Sequence, residues 1–349
     1  MSYLLKFREW KIIHEKSKPA TLVVELSTVC NRNCTYCFRR GIFNLKQEFI
    51  ECKVINRLLS DNFEKIVFTG FGEPTLHPNF EEIFLNCTTK CNRIVLNTNG
   101  TTLLDYIRIF SKFLHKLEIF LSLHDVGSIV SLLEEVKHRC RDLLQCIRLI
   151  VVLSKDKLAE IVDILNSLSN FSIPKIYLSN MIPITSDACD YSCIDDPESE
   201  NVLNDIKYRI LPKSFIQNTF IYVSRSKSCT STFICPFVSN YATFIRVNGM
   251  VAPCMFYAYR LKTYIHCIER VNEPIIFGDL RENDILTIWN SDNYAKFRFY
   301  VSIGAFPNCL DCELERYCTF TTSNMHDCWG NSPTCSYCPF ARGLAFCPV

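Results

Sequence analysis

Three cysteines define the chemistry within reach of this chain. Cys30, Cys34 and Cys37, in the stretch CNRNCTYC, follow a C-x3-C-x2-C spacing in a polar loop. Three thiolates on so short a segment hold three corners of a cubane 4Fe–4S cluster and leave the fourth iron without a protein ligand. An open coordination site is where chemistry occurs. Two other readings stay open on spacing alone. A structural zinc loop more often draws four ligands from paired C-x2-C elements, and a thioredoxin-like dithiol needs only two.

The composition frames that motif. The chain of 349 residues, 48% hydrophobic, is long enough for one large domain or two ordinary ones around a sizeable core. It carries 21 cysteines, an odd number. The opening MSYLLKFREWKIIHEKSKP has no apolar run of signal-peptide length, and no later stretch approaches the ~18–20 apolar residues of a bilayer span. The expectation is a soluble cytoplasmic protein, where clustered thiols more often bind metal or do redox chemistry than form disulfides. With Lys+Arg 38 against Asp+Glu 36, a net charge of +2 gives no electrostatic reason to expect nucleic acid or a membrane as partner.

The elements that must position the cysteine loop are legible in the first half. TLVVELS (21–27), EKIVFTG (64–70), RIVLNTNG (93–100), LEIFLSLHD (117–125), IRLIVVLS (147–154) and PKIYLSNMIP (174–183) read as buried strands. Between them, stretches such as GSIVSLLEEVKHRCRDLLQ have the three-to-four-residue apolar spacing of amphipathic helices. Six strand–helix units predict an α/β fold with a parallel sheet, an open partial (β/α)6 barrel of TIM type. The cysteine loop follows its first strand. Around 186–228 the pattern turns polar and irregular, and beyond it lies a small cysteine-rich region suited to folding around metal. The expected domains are 1–185, a connecting 186–228, and 229–349.

Polar residues recur at the carboxyl ends of four strands, the side on which parallel barrels build active sites. TGFGEP places Gly70, Gly72, Glu73 and Pro74 after the second strand, NTNG places Asn99 after the third, and Ser122, His124 and Asp125 end the fourth. Each taken singly is equally a turn residue with a satisfied hydrogen bond. His77 lies near the same mouth.

With these motifs the chain resembles the radical S-adenosylmethionine (SAM) family, whose signature is C-x3-C-x-aromatic-C; Tyr36 stands at the aromatic position. The resemblance implies that the open iron is chelated by the amino and carboxylate groups of SAM. Cleavage of its carbon–sulfur bond then gives a 5′-deoxyadenosyl radical that abstracts a substrate hydrogen. Tyr36 would lie against the adenine, and Gly72, Glu73 and Pro74 correspond to a Gly-Gly-Glu-Pro element that binds the methionine amino group. Phe71 interrupts its paired glycines. Asn99 and Ser122 would contact ribose and carboxylate.

The later cysteines resemble the SPASM extension, which holds two auxiliary 4Fe–4S clusters. Cys229 and Cys235 precede Gly249-x4-Cys254, with 13 residues between Cys235 and Gly249. Cys309-x2-Cys312-x5-Cys318 follows, then Cys328, Cys335, Cys338 and Cys347. The departure comes after Cys318, where nine residues separate it from Cys328 in place of the family's three. The resemblance suggests one cluster on Cys229, Cys235 and Cys254 plus a late cysteine, and another on Cys309, Cys312 and Cys318 plus a late cysteine. A separate zinc or third cluster site on Cys328, Cys335, Cys338 and Cys347 is the alternative. Trp289 and Arg298, in the stretch between, read as packing residues. Cys87 with Cys91, and Cys189 with Cys193, read as buried or unpaired thiols.

The resemblance therefore implies an enzyme that oxidatively modifies a peptide or protein, a maturase, served by an electron donor such as ferredoxin or flavodoxin. GFGEP and the terminal DCWGNSP…C-x2-C…CP stretch look most like the maturases associated with tungsten-dependent oxidoreductases. A small-molecule oxidoreductase or dehydrogenase of the same chemistry, and a non-enzymatic iron–sulfur or zinc interaction protein, are the other readings.

Overall fold

The structure, a computed structural model, describes residues 3–7, 10–206, 208, 219–225, 234–347 and 349. An antiparallel hairpin, β1 (Tyr3–Phe7) and β2 (Trp10–His14), precedes the main sheet. The six expected strands follow: β3 (Thr21–Val24), β4 (Phe63–Phe68), β5 (Cys91–Thr98), β6 (Leu117–Leu123), β7 (Ile147–Leu153) and β8 (Lys175–Asn180). All pair in parallel with their sequence neighbours. Each is followed by a helix: α1 (Cys52–Leu58), α2 (Phe80–Thr88), α3 (Ile107–Phe110), α4 (Val126–Arg139), α5 (Ile161–Leu168) and α6 (Pro197–Asp205). This is the expected six-unit partial barrel.

Two further strands lengthen it. β9 (Phe220–Val223) pairs in parallel with β8, and β10 (Ala242–Ile245) pairs in parallel with β3 at the opposite edge. β11 (Met250–Ala252) then adds antiparallel to β10. A hairpin of β12 (Leu261–Ile265) and β13 (Ile268–Asn272) stands apart from the sheet. β14 (Gly278–Asp279) pairs antiparallel with β11 and completes a ten-stranded sheet. Sequence reading did not register β9 and β10, four-residue strands that lie outside the six strand–helix units. Among the described residues three further helices follow, α7 (Pro236–Ser239), α8 (Ile285–Trp289) and α9 (Asp292–Ser302).

Both faces of the parallel strands are apolar, as burial on both sides requires. Leu22, Ile66, Ile94, Ile119, Leu149 and Ile176 pack outward against Ile55, Phe84, Leu133 and Leu165 of the helices. Val23, Val67, Val95 and Phe120 point into the lumen and meet Phe244, Phe256, Tyr257 and Phe297 from the C-terminal half. The end of the chain also enters the lumen. Phe346 stacks on Tyr177 with ring centroids 4.0 Å apart and lies 5.7 Å from Phe120. Its N–H donates to Ser179 Oγ at 3.0 Å. Phe346 is half-buried by these contacts, so the C-terminal region is part of the barrel's packing.

Trp289 is fully buried, and the Arg298 guanidinium lies 3.5 Å from its ring centre, the packing role expected of both. No helix among the described residues is long and apolar enough to cross a membrane.

Candidate active site at the barrel mouth

The cysteine loop leaves β3 through a closed neck. Ser27 bridges Phe49, and Thr28 pairs with Glu48 by donating its N–H to the Glu48 carbonyl at 3.0 Å. The Thr28 hydroxyl also donates to Lys46 O at 2.7 Å and accepts from Glu48 N–H at 2.8 Å. Residues between the two sides of the neck thus form a tethered loop, so its cysteines are held without regular secondary structure of their own.

The GFGEP loop after β4 grips that neck. Glu73 N–H donates to Val29 O at 2.8 Å. A Cβ on Gly72 would lie 2.3 Å from Ser27 O and 2.6 Å from Val29 O, so only glycine permits the approach. The Glu73 carboxylate is buried and faces the chain itself. It accepts from Thr98 Oγ1 at 2.8 Å, from Thr75 N–H and Oγ1, and from Asn99 N–H at 2.8 Å. Pro74, also buried, opens the short helical turn Pro74–Leu76 that this carboxylate caps.

Asn99 is thereby fixed facing the cysteines. Its Nδ2 donates to Asn31 Oδ1 at 2.9 Å and to the Cys30 sulfur at 3.8 Å, while its Oδ1 accepts from Thr101. From β6 comes His124. Its Nδ1 lies 2.7 Å from Tyr36 Oη and 3.4 Å from Cys34 Sγ, with the His124 and Tyr36 rings near parallel at 14°. Burial, with the nearby cations Arg32 and Lys157, lowers the imidazole to about 4, so it is neutral at pH 7. His124 Nε2 is buried and, among the described residues, without a partner. Such an orphaned polar atom beside the cysteine loop is what a site prepared for a further ligand presents.

The three thiols influence one another. Burial and then Cys30 raise Cys34, and burial raises Cys37, with Cys34 and Cys30 adding to the shift. Thiolate formation here calls for compensating positive charge, which iron supplies. The donor set and the orphaned imidazole nitrogen both fit a cluster with a nucleoside ligand. Ser122 shares its strand face with Phe120 and His124 and is half-buried. Two neighbours do not reach the site. His77 donates from Nε2 to Ile50 O at 2.9 Å and accepts from Asn79 N–H at Nδ1, and Asp125 caps α4.

Glu25 was missed by sequence reasoning. It is fully buried at the end of β3 and accepts from Phe71 N–H at 2.9 Å, Val247 N–H at 3.1 Å and Tyr259 Oη. Burial raises its carboxyl, against which these three bonds act. Phe71 packs edge-on to Tyr259 at 5.2 Å, and Arg246 covers the other side of that ring at 3.9 Å. The residue that interrupts the paired glycines therefore joins the mouth to the C-terminal region. The available signal was one charge inside the apolar strand TLVVELS.

The later cysteines fall into two groups. Cys235 precedes α7, and Cys254 follows β11 after the turn at Gly249, whose φ of +83° demands glycine. Burial, then Cys338, Cys235 and Cys347, push the Cys254 thiol well up. Burial, then Cys254, Cys338 and Cys235, do the same to Cys335. Cys338 is pushed up to about 12 by burial and by Cys235. A second group gathers nearer the surface: Cys309 is raised by burial with Cys328 and Cys318 adding, and Cys328 by burial, Asp327, Cys318 and Cys312. Of the four last cysteines, Cys335, Cys338 and Cys347 thus neighbour the first group and Cys328 the second. Cys229 lies outside the described residues. Among those residues no three His, Cys, Asp or Glu side chains converge on a single ion position. A cavity of 970 Å³ between α9 and the 324–333 loop, lined by Phe277, Tyr300 and Trp329, contains no thiol or imidazole.

An open parallel sheet with a three-thiol loop at its carboxyl mouth and a cysteine-rich C-terminal region defines an iron–sulfur enzyme built on a partial barrel. Residues 24–168 match the Radical SAM superfamily and residues 235–313 the SPASM iron–sulfur cluster-binding domain, so the chain joins a radical SAM domain to a SPASM domain. Over 94% of its length it is 24% identical to a tungsten-containing aldehyde ferredoxin oxidoreductase cofactor-modifying protein of Pyrococcus furiosus, of which it covers 97%. Among solved structures, native anSMEcpe with bound AdoMet shares the fold with a TM-score of 0.60 and 16% identity, over 93% of both chains. Streptococcus suis SuiB bound to precursor peptide SuiA shares it with a TM-score of 0.57 and 17% identity, over 86% of this chain and 71% of that one.

Proposed function

We propose that this chain cleaves SAM reductively at a 4Fe–4S cluster on Cys30, Cys34 and Cys37 and oxidatively modifies a peptide or protein, acting as a maturase. The observation that carries the proposal is the placing of the three-cysteine loop against Asn99, at Cys30, and against His124, at Cys34, with the buried Nε2 of that histidine partnerless among the described residues. Bound there, the cluster supplies the electron that splits SAM into methionine and a 5′-deoxyadenosyl radical, which takes a hydrogen atom from substrate.

The chain's own groups bind and orient. Asn99 donates to the Cys30 sulfur and so stabilises it as thiolate. Tyr36 locks the His124 ring and offers its face to the adenine. Glu73 spends its carboxylate on Thr75, Thr98 and Asn99. Its part is to hold the loop, with the backbone of Gly72 and Pro74, where the amino group of SAM binds. Ser122, on the same strand face as His124, is the ribose contact.

Two auxiliary clusters complete the reading. One takes Cys235, Cys254, Cys338 and Cys347 with Cys335 beside them, Cys229 being the further ligand the resemblance implies; the other takes Cys309, Cys312, Cys318 and Cys328. They receive the electron that an oxidised substrate loses, and ferredoxin or flavodoxin supplies the first one. The barrel core is assigned to 1–185, its closing segment to 186–228 and the SPASM region to 229–349. The full-length likeness to a protein named for modifying a tungsten-enzyme cofactor, and the shared fold of a peptide-bound structure, support a macromolecular substrate in the tungsten-oxidoreductase context. A 35% identity over 99 residues to a probable GTP 3′,8-cyclase of Pyrococcus abyssi favours the small-molecule reading, but spans 26% of this chain.

Anaerobically reconstituted protein given dithionite and SAM is expected to release 5′-deoxyadenosine and to hold roughly twelve irons. Failure of the parent to release it, with Cys30→Ala indistinguishable, would sink the proposal. Deuterium transfer into 5′-deoxyadenosine from a labelled peptide, or from labelled GTP, separates the two substrate classes.

A further inference from the structure

One face of the β12–β13 hairpin is buried and carries donors without acceptors. Thr263 and Arg270 are cross-strand partners, and Asn272 follows two residues on, so the three side chains share that face. All three are fully buried. Arg270 Nε donates to Asn272 Oδ1 at 2.9 Å, and its Nη1 donates to Thr321 O at 2.6 Å. Its Nη2, with Asn272 Nδ2 and Thr263 Oγ1, has no partner among the described residues.

The larger deficit is one of charge. A guanidinium stays protonated inside proteins, and an ion taken out of water needs a counter-charge. Both bonds of Arg270 go to neutral oxygens. Glu315, the buried carboxylate of the same region, is engaged by His266 and by Tyr337 Oη instead. The face of the Tyr337 ring, 4.8 Å from the guanidinium, offsets part of the charge. Water would satisfy the orphaned N–H groups but brings no negative charge.

The anchors of Arg270 belong to the cysteine loops. Thr321 closes the turn after Cys318, donating its N–H at 3.3 Å and its hydroxyl at 2.6 Å to the Cys318 carbonyl. Tyr337 lies in the Cys335–Cys338 turn and packs in one apolar cluster with Cys309, whose N–H donates to Ser336 O at 3.1 Å. The guanidinium is thus held between two turns that are both tied to the outer cysteine group. Burial raises the Cys309 thiol, and Ser336 and then Arg270 act against it. A 4Fe–4S cluster on four thiolates is a net anion whose sulfurs accept hydrogen bonds, and its potential responds to charge and to those bonds. The orphaned donors and the uncompensated cation fit such a group.

We propose that Arg270 is the counter-ion of the outer auxiliary cluster, on Cys309, Cys312, Cys318 and Cys328, and holds its reduction potential above that of the inner one. The inference rests on the reading of these cysteines as iron–sulfur ligands. Arg270 is a positioning residue in this role: a positive charge beside the cluster favours the reduced, more negative state, which suits a group that accepts an electron from substrate.

The test uses full-length protein, reconstituted anaerobically with iron and sulfide, in a Cys30→Ala background so that auxiliary clusters alone contribute. Cys312→Ala identifies the outer cluster's electron paramagnetic resonance signal, which a redox titration then follows. At the midpoint of the unsubstituted protein, Arg270→Gln is expected to shift the reduced-to-oxidised ratio of that cluster more than tenfold toward oxidised, a fall of more than about 59 mV for one electron. The inner cluster moves less, and Arg270→Lys, which keeps the charge, recovers most of the shift. An unmoved potential in Arg270→Gln, or an equal fall in Arg270→Lys, would overturn the proposal. A measurement without substitution at Arg270 covers the case in which these variants lose the cluster. With nitrogen-15-labelled arginine, and the exposed Arg316 beside Cys318 changed to lysine, the reduced outer cluster is expected to show a nitrogen-15 hyperfine coupling; its absence would equally overturn the proposal. Parent iron near four per chain, in place of roughly twelve, would remove the cluster reading and this inference with it, whereas full iron with an unmoved potential removes the inference alone.

Discussion

The barrel mouth and the inner cysteine group of the C-terminal region solve opposite problems with the same side chain. At the mouth, three thiols come from eight consecutive residues, sit half-exposed, and are met by an asparagine, a tyrosine and a neutral histidine. In the inner group, Cys235, Cys254, Cys335, Cys338 and Cys347 arrive from separate segments and are each raised above the ordinary thiol range, chiefly by burial. The mouth is prefabricated by the backbone around it, with Gly72, Glu73 and the Thr28–Glu48 pair holding the loop. The inner group has little regular structure to hold it. A site built locally stands ready for a cofactor with an open position, whereas a site built from distant segments makes the metal a structural member.

The contrast can be broken most sharply with cysteine variants. Cys30→Ala is expected to abolish 5′-deoxyadenosine formation and to remove about four irons, while leaving the melting temperature near that of the parent. Cys338→Ala is also expected to lose about four irons, but with a clearly lowered melting temperature. Equal stability of the two variants would show that the inner group is no more structural than the mouth.

Next in size are the two links between the regions. Glu25→Gln places an amide donor against Phe71 N–H, Val247 N–H and Tyr259 Oη, and is expected to cost about 1–3 kcal/mol in denaturant unfolding. Comparable stability would mean that the seam does not rely on this carboxylate. His266 gives a pH signature. Burial alone would lower it, but Asp195 and Glu315 outweigh burial and raise it from 6.5 to about 9. Its contribution is therefore complete below about pH 6.5 and is lost as pH rises through about 9, of order 2–3 kcal/mol. His266→Ala should flatten the stability profile between those values; an unchanged slope would assign it to another group.

The smallest effect sharpens the mouth itself. Tyr36→Phe removes only the hydroxyl at 2.7 Å from His124 Nδ1. A loss of about 1 kcal/mol in SAM affinity is expected, read as a several-fold rise in KM at little change in kcat. A drop in kcat alone would move Tyr36 from binding to chemistry.

The local features of this chain were legible in its sequence because their determinants are local. Apolar strands alternating with amphipathic helices define six parallel units, and C-x3-C-x2-C at the first strand's end defines the three-thiol loop, since neighbouring residues cannot be far apart in space. GFGEP and NTNG fall at strand ends for the same reason, although the sequence could not show that the Glu73 carboxylate turns inward to Asn99. Only the tertiary structure decided that His124 faces the cysteines while His77 does not. It also placed Cys328 nearer Cys309 and brought Phe346 into the barrel. Each of these contacts joins residues far apart along the chain. Their pairing is fixed by packing the C-terminal half against the open side of the sheet, and no spacing rule along the chain encodes it.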